Sequence, residues 1–185
     1  MAIFLSGFIL FFLLHILTAT PALRRKLAAR TGENAWKGIV ALVSLAGIVL
    51  ICFGWSKAPN EQLFAPSALA IQLAPYVVSV ALVLFVIGGG NLKGYIKHAL
   101  HHPMLAGTSL WSATHLLANG GWRETVLFGS FLVYSVYAYC SLMLAGKRSA
   151  FVPHWKWDVI GVAVGLFVAI GVLHSHKWLF GIAVS

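Results

Sequence analysis

Ile3–Ala19 is an apolar run without a single charged residue, and it is about as long as the hydrocarbon core of a bilayer is thick. Five more apolar runs follow: Ile39–Trp55, Ile71–Gly88, about Met104–Ala118, Val126–Leu144 and Val159–Leu173. Without water, each backbone polar group needs a partner inside its own segment, so runs of this length become helices. Only 9% of the 185 residues are charged, against roughly 25% in ordinary soluble domains. The fold class that follows is all-α: a polytopic transmembrane helical bundle of about six spans, forming one domain over residues 1–185. Ile3–Ala19 reads as a span rather than a signal peptide, because no base precedes it and the strong bases come after it.

The net charge of +9 comes from 13 Lys and Arg against 4 Asp and Glu. The bases lie between apolar runs and form none of the basic-aromatic modules that read nucleic acid. The expected partner is therefore the lipid bilayer and its anionic headgroups, not nucleic acid. Arg24, Arg25, Lys26, Arg30 and Lys37 follow the first run, Lys93 and Lys97 the third, and Lys147, Arg148 and Lys156 the fifth. Six spans put all of these on one side and leave Lys57, Arg123 and Lys177 on the other. The positive-inside rule then places the basic loops in the cytoplasm and both termini outside it. PALRRKLAARTGENAWKG, between the first two runs, reads as a short surface helix at headgroup level.

Eight histidines punctuate this apolar chain. His154, His174 and His176 sit beside Trp and Lys, as interfacial residues do. His15 and His115 differ, because each lies inside a run with apolar neighbours on both sides. A polar side chain within a span needs a partner and marks a functional site by default. Thr108, Ser112, His115 and Asn119 share one helical face, and Trp111 lies four residues before His115. A second stripe, Ser130, Tyr134, Tyr137 and Ser141, reads as hydrogen-bonding glue between helices.

Helical rise puts His15 about 6 Å and His115 about 16 Å from the basic side, a gap that a tilted flat cofactor spans. His102, nearer that surface, is an alternative partner for His15. Neutral imidazole is a common ligand of haem iron. Neither Cys52 nor Cys140 belongs to a CxxCH attachment motif, so only a non-covalent haem is open. His101-His102-Pro103 starts a helix and, with Lys97 and His98, makes a cationic patch suited to propionates or phosphates.

Two blocks carry a family resemblance. FLLHILTATPALRRKLAARTGENAWKGIVALVSLAGIVLICFGW and HHPMLAGTSLWSATHLLANG resemble the NnrU family of bacterial membrane proteins, in matching order over nearly the whole chain. The resemblance implies an inner-membrane protein tied to nitrite and nitric oxide metabolism in denitrifying bacteria, with nitrogen-oxide reductase machinery as the expected partner. The family is in turn similar to the plant 15-cis-zeta-carotene isomerase, a haem b membrane enzyme. By that likeness His15 and His115 match the isomerase's proposed haem-ligand positions. A cysteine that precedes the second histidine by three in the isomerase is Ser112 here, and the basic residue usual before His-Pro is His101. A basic-His-Pro element also precedes a helix in isoprenylcysteine-type methyltransferases, but the C-terminal part here offers only Asp158 as an acid.

The expectation is a haem b held in the bundle by His15 and His115 as axial ligands. Trp111 and Asn119 would shape its pocket, and His102, Lys97 and Arg24 would face its propionates. An accessory or sensor for nitrogen-oxide respiration, a haem-dependent isomerase of a carotenoid-like lipid, and a cofactor-free scaffold are the three readings left open. The sequence singles out no catalytic group and no oligomeric state.

Overall fold

The computed structural model describes residues 1–181. They form eight helices: α1 (Ala2–Ala19), α2 (Pro21–Thr31), α3 (Glu33–Trp55), α4 (Ala68–Gly89), α5 (Tyr95–Leu100), α6 (Pro103–Ala118), α7 (Trp122–Leu144) and α8 (Trp155–Phe180). Among the described residues, extended pairing is confined to one bridge, Gln62 with Gly121. Five helices, α1, α3, α4, α7 and α8, are long and apolar enough to cross a membrane. The sixth expected span is α6, whose 16 residues rise about 24 Å, short of a core of about 30 Å. Pro103 starts it at the first turn and Asn119, in extended backbone, stops it.

The long helices stand in an open row, α3–α1–α7–α6–α4–α8, each packed on the next. Small residues set the tight seams, as they do where helices meet in lipid. A Cβ on Gly7 of α1 would stand 2.7 Å from the Gly47 carbonyl oxygen of α3. On Gly107 of α6 it would stand 2.7 Å from the Ala81 carbonyl oxygen of α4, and on Gly165 of α8 it would stand 2.5 Å from Val83 Cα of α4. The α1–α7 seam is built instead from rings: Phe4, Phe8, Phe11 and Phe12 are buried against Trp122, Phe131 and Tyr134.

Hydrogen bonds between loops sort the two ends of the row. At one end the Met1 amine donates to the Lys57 carbonyl oxygen, and Trp122 N–H donates to the Glu61 carbonyl oxygen. At the other end Ser141 Oγ donates to the Ala19 carbonyl oxygen, Tyr139 Oη to the Leu100 carbonyl oxygen, and His154 N–H to the Lys93 carbonyl oxygen. Lys57 and Arg123 thus lie at the end where the chain starts. Lys93, Lys97, Lys147, Arg148, Lys156 and the basic helix α2 lie at the opposite one.

Three elements depart from the sequence reading. The surface helix ends at Thr31, and the residues from Glu33 onward join α3, because Gly32 at φ +85° breaks the chain while Glu33 suits a helix N-terminus. The last helix begins at Trp155, four residues before the apolar run, where the His154 ring nitrogen Nδ1 accepts from Lys156 N–H. Helix α5 has no counterpart among the apolar runs. Its N-terminus is capped from 63 residues away by Asp158, whose carboxylate accepts from Tyr95 N–H at 2.7 Å and Ile96 N–H at 3.0 Å.

Candidate functional site

His15 sits near the C-terminal end of α1, half-buried, with Phe11 stacked on it at 4.0 Å between ring centroids. Tyr134 of α7 meets the imidazole edge-on at 5.6 Å. His115 sits near the end of α6, half-buried, against Trp111 of its own helix at 5.3 Å and Phe128 of α7 at 4.8 Å. Both histidines therefore face α7. Their contacts there, Tyr134 and Phe128, are six residues apart, a depth difference of about 9 Å along the helix.

The two imidazoles do not touch. Phe11, Phe131 and Trp111 stand between them: Phe11 lies 5.8 Å from Phe131, and Phe131 lies 5.5 Å from Trp111. The structure thus brings His15, Trp111 and His115 to one aromatic cluster.

Each imidazole spends one nitrogen on its own helix. His15 Nδ1 is 2.7 Å from the Phe11 carbonyl oxygen, and His115 Nδ1 is 2.9 Å from the Trp111 carbonyl oxygen. A neutral ring that donates through Nδ1–H keeps a lone pair on Nε2, which is the form that binds a metal. His174 makes the same bond to the Ile170 carbonyl oxygen on an exposed stretch of α8, so the bond alone does not define the site. The aromatic enclosure of His15 and His115 does. Among the described residues, no three His, Cys, Asp or Glu side chains converge to hold a bare metal ion. The chemistry of the donor set fits a metal that brings its equatorial ligands with it, as porphyrin iron does.

Other expected residues are spent locally. Asn119 Nδ2 donates to the His115 carbonyl oxygen at 2.8 Å, which closes the last turn of α6. His102 Nε2 is 2.7 Å from the Lys147 carbonyl oxygen, and its ring meets Tyr139 at 6.1 Å, five residues beyond Tyr134 on α7. Lys97 Nζ donates to the Gly90 carbonyl oxygen at 2.7 Å, at the end of α4, and Arg24 pairs with Glu33. Ser112 is fully buried, with Oγ turned onto the Thr108 carbonyl oxygen at 2.6 Å.

Of the four stripe hydroxyls, Tyr137 and Ser141 tie α7 to the end of α1. Tyr137 Oη lies 2.7 Å from Thr20 Oγ1, and Ser141 reaches Ala19. Ser135, outside the expected stripe, pairs with Ser109 at 2.8 Å.

The basic end carries an imidazole cluster. His101 Nδ1 accepts from Ser149 N–H at 3.3 Å, His102 holds Lys147, and His98 packs edge-on to Phe151 at 5.7 Å. Three histidines thereby grip the loop between α7 and α8. Burial, then the charges of Arg148, His98 and His102, hold the His101 imidazole below its ordinary pKa.

Sequence reasoning missed Phe11, Phe128 and Phe131 as members of the cluster. One signal was present: Phe11 precedes His15 by four residues, as Trp111 precedes His115.

A family model described as NnrU protein matches residues 3–184. No curated protein and no solved structure matches the chain.

Proposed function

The chain belongs to the NnrU family, and on that premise we propose that it binds haem b within the membrane, with His15 and His115 as axial ligands. The observation that carries the reading is the shared aromatic cluster. Two span-embedded imidazoles, each with Nδ1 fixed on a backbone carbonyl, flank the same three rings. Phe11, Phe131 and Trp111 fill the space between the imidazoles, so in the proposed haem-bound state these rings would swing aside and line the pocket with Phe128, and Tyr134 lies on the His15 side. His102 lies on the side of the basic end, where propionates would meet Lys147 and Arg148 near the headgroups. When bound, the iron would supply redox chemistry and an affinity for diatomic gases. The chain's own part is to hold two neutral imidazoles and exclude water.

The same proposal takes α6 as a sixth span. With five longer helices it brings both termini outside the cytoplasm of a bacterial inner membrane and the basic end inside. Clustering of the basic residues at one end of the row supports that orientation.

The biological role proposed is accessory or sensory, in nitrite and nitric oxide metabolism, alongside nitrogen-oxide reductase machinery. Ser112 favours this over the isomerase reading, since its hydroxyl is buried and committed to α6 where the isomerase carries a cysteine. The scaffold reading draws on the Ser109–Ser135, Thr20–Tyr137 and Ser141–Ala19 bonds, none of which involves a histidine. The test is to purify the protein from haem-replete cells and record its absorption spectrum and haem content. A Soret band at near-equimolar haem is expected. A colourless protein that stays colourless after haem is added would contradict the proposal.

A further inference from the structure

The loop between α7 and α8 is pinned on both sides of one exposed arginine. His102 Nε2 donates to the Lys147 carbonyl oxygen at 2.7 Å, and Ser149 N–H donates to His101 Nδ1 at 3.3 Å. Ser149 Oγ also lies 3.2 Å from the Lys97 carbonyl oxygen. Arg148, between the two pinned residues, is exposed and makes no ion pair among the described residues. The same contacts place a proton. His101 Nδ1 accepts, so the neutral ring carries its hydrogen on Nε2, a donor with no partner among the described residues. The exposed His98 ring stands 6.4 Å from that of His101 between centroids, and neither of its nitrogens is engaged among the described residues.

We propose that Arg148, His101 and His98 form a binding site for the headgroup phosphate of one anionic phospholipid. The site is rich in donors and holds no acceptor of negative charge. Of the chain's four acids, Glu33 pairs with Arg24 and Lys37, and Glu124 pairs with Arg123. Asp158 spends both carboxylate oxygens on Tyr95 and Ile96 N–H, and Glu61 lies at the opposite end, beside Trp122. An unpaired guanidinium offers its fork to two phosphate oxygens at once, and the His101 Nε2–H supplies a further donor.

The level of the loop selects a lipid over a dissolved anion. Leu144, at the end of α7, is 89% exposed, and Val152, four residues after Arg148, is 90% exposed. Apolar side chains this bare, bracketing a loop between two spans, belong in hydrocarbon, so the cations between them sit at the depth of the phosphates. Charge on Arg148, His98 and His102 disfavours the charged form of the His101 ring. A phosphate in their midst offsets that repulsion. The site does not rest on the haem reading.

The test titrates the whole, haem-free protein in neutral detergent with phosphatidylglycerol, and in parallel with phosphatidylcholine, and counts bound lipid by native mass spectrometry. The first phosphatidylglycerol is expected to bind more tightly than phosphatidylcholine. Arg148→Gln is expected to weaken that first step about tenfold, the loss of one charge-assisted pair of hydrogen bonds. Arg25→Gln removes an exposed cation of α2 at the same end and is expected to leave the step unchanged. His98→Ala, outside the loop, is expected to weaken it too and stands in if Arg148→Gln does not fold. Equal binding of the two lipids, or equal losses in Arg148→Gln and Arg25→Gln, overturns the inference, since general attraction to the basic end is then the whole effect. So does displacement of the lipid by inorganic phosphate beyond that by chloride at matched ionic strength, since a free anion is then the ligand. Because no haem is present, failure here leaves the haem reading standing.

Discussion

Phe11 lies face to face with His15, 4.0 Å between centroids and 22° between planes, and accepts the imidazole's Nδ1–H on its own carbonyl oxygen. Trp111 stands in the same relation to His115, four residues ahead, tilted by 47°, with its carbonyl oxygen on Nδ1. One aromatic residue per histidine thus fixes ring orientation and the nitrogen left free. Ring contacts of this kind contribute about 0.5–1.5 kcal/mol. Phe11→Leu and Trp111→Leu should each weaken haem retention by up to about tenfold while the helix content stays the same. Haem transfer to apomyoglobin, timed for each variant, checks this.

The seam between α1 and α7 depends on two side-chain hydroxyls at its basic end. Tyr137→Phe removes the bond to Thr20 and Ser141→Ala the bond to Ala19. Hydrogen bonds between membrane helices average about 0.6 kcal/mol, so each change should cost about that much. Reversible unfolding in mixed micelles measures it, and the double variant should cost roughly the sum.

Close helix approach should make glycines unequal. Gly165→Leu drives a side chain into Val83 of α4 and should destabilise by about 1–3 kcal/mol or more. Gly129, on α7, has nothing within 4 Å of a new Cβ, so Gly129→Ala should be neutral or stabilise by up to about 1 kcal/mol. Thermal denaturation in detergent separates the two.

The α7–α8 loop should loosen in acid. His101 accepts Ser149 N–H only when neutral, and its pKa is lowered in the fold, so the unfolded chain binds the proton more readily. The contribution is complete above the ordinary imidazole value, about 6.5, and is lost as pH falls below that toward the lowered folded value. Arg148, His98 and His102 face the same ring and disfavour its charged form. Exchange at the Ser149 amide, corrected for its intrinsic pH dependence, should quicken in that window. His101→Asn, which removes the titrating imidazole and keeps a polar side chain at this positive-φ position, should give a flatter profile.

Much of this architecture is legible in the sequence because hydrocarbon imposes simple rules. Charge-free runs become helices, and α1, α4 and α7 fall within a few residues of their apolar limits. His15 and His115 stand out because imidazole is costly in lipid. What was not legible depends on partners distant in sequence. Helix α5 exists because Asp158, 63 residues on, caps it. Phe128 and Phe131 look like ordinary lipid-facing residues until α6 and α1 pack on either side of them. Arg24 and Lys97 read as free cations for propionates, but Glu33 and the end of α4 lie close enough to engage them.

The most direct measurement is the haem content of three folded variants, His15→Ala, His115→Ala and the double substitution, beside the wild type. The account predicts that each single variant loses most of the bound haem and that the double variant loses little more, because both imidazoles serve one iron. Wild-type haem content and an unchanged Soret band in the folded double variant would contradict it.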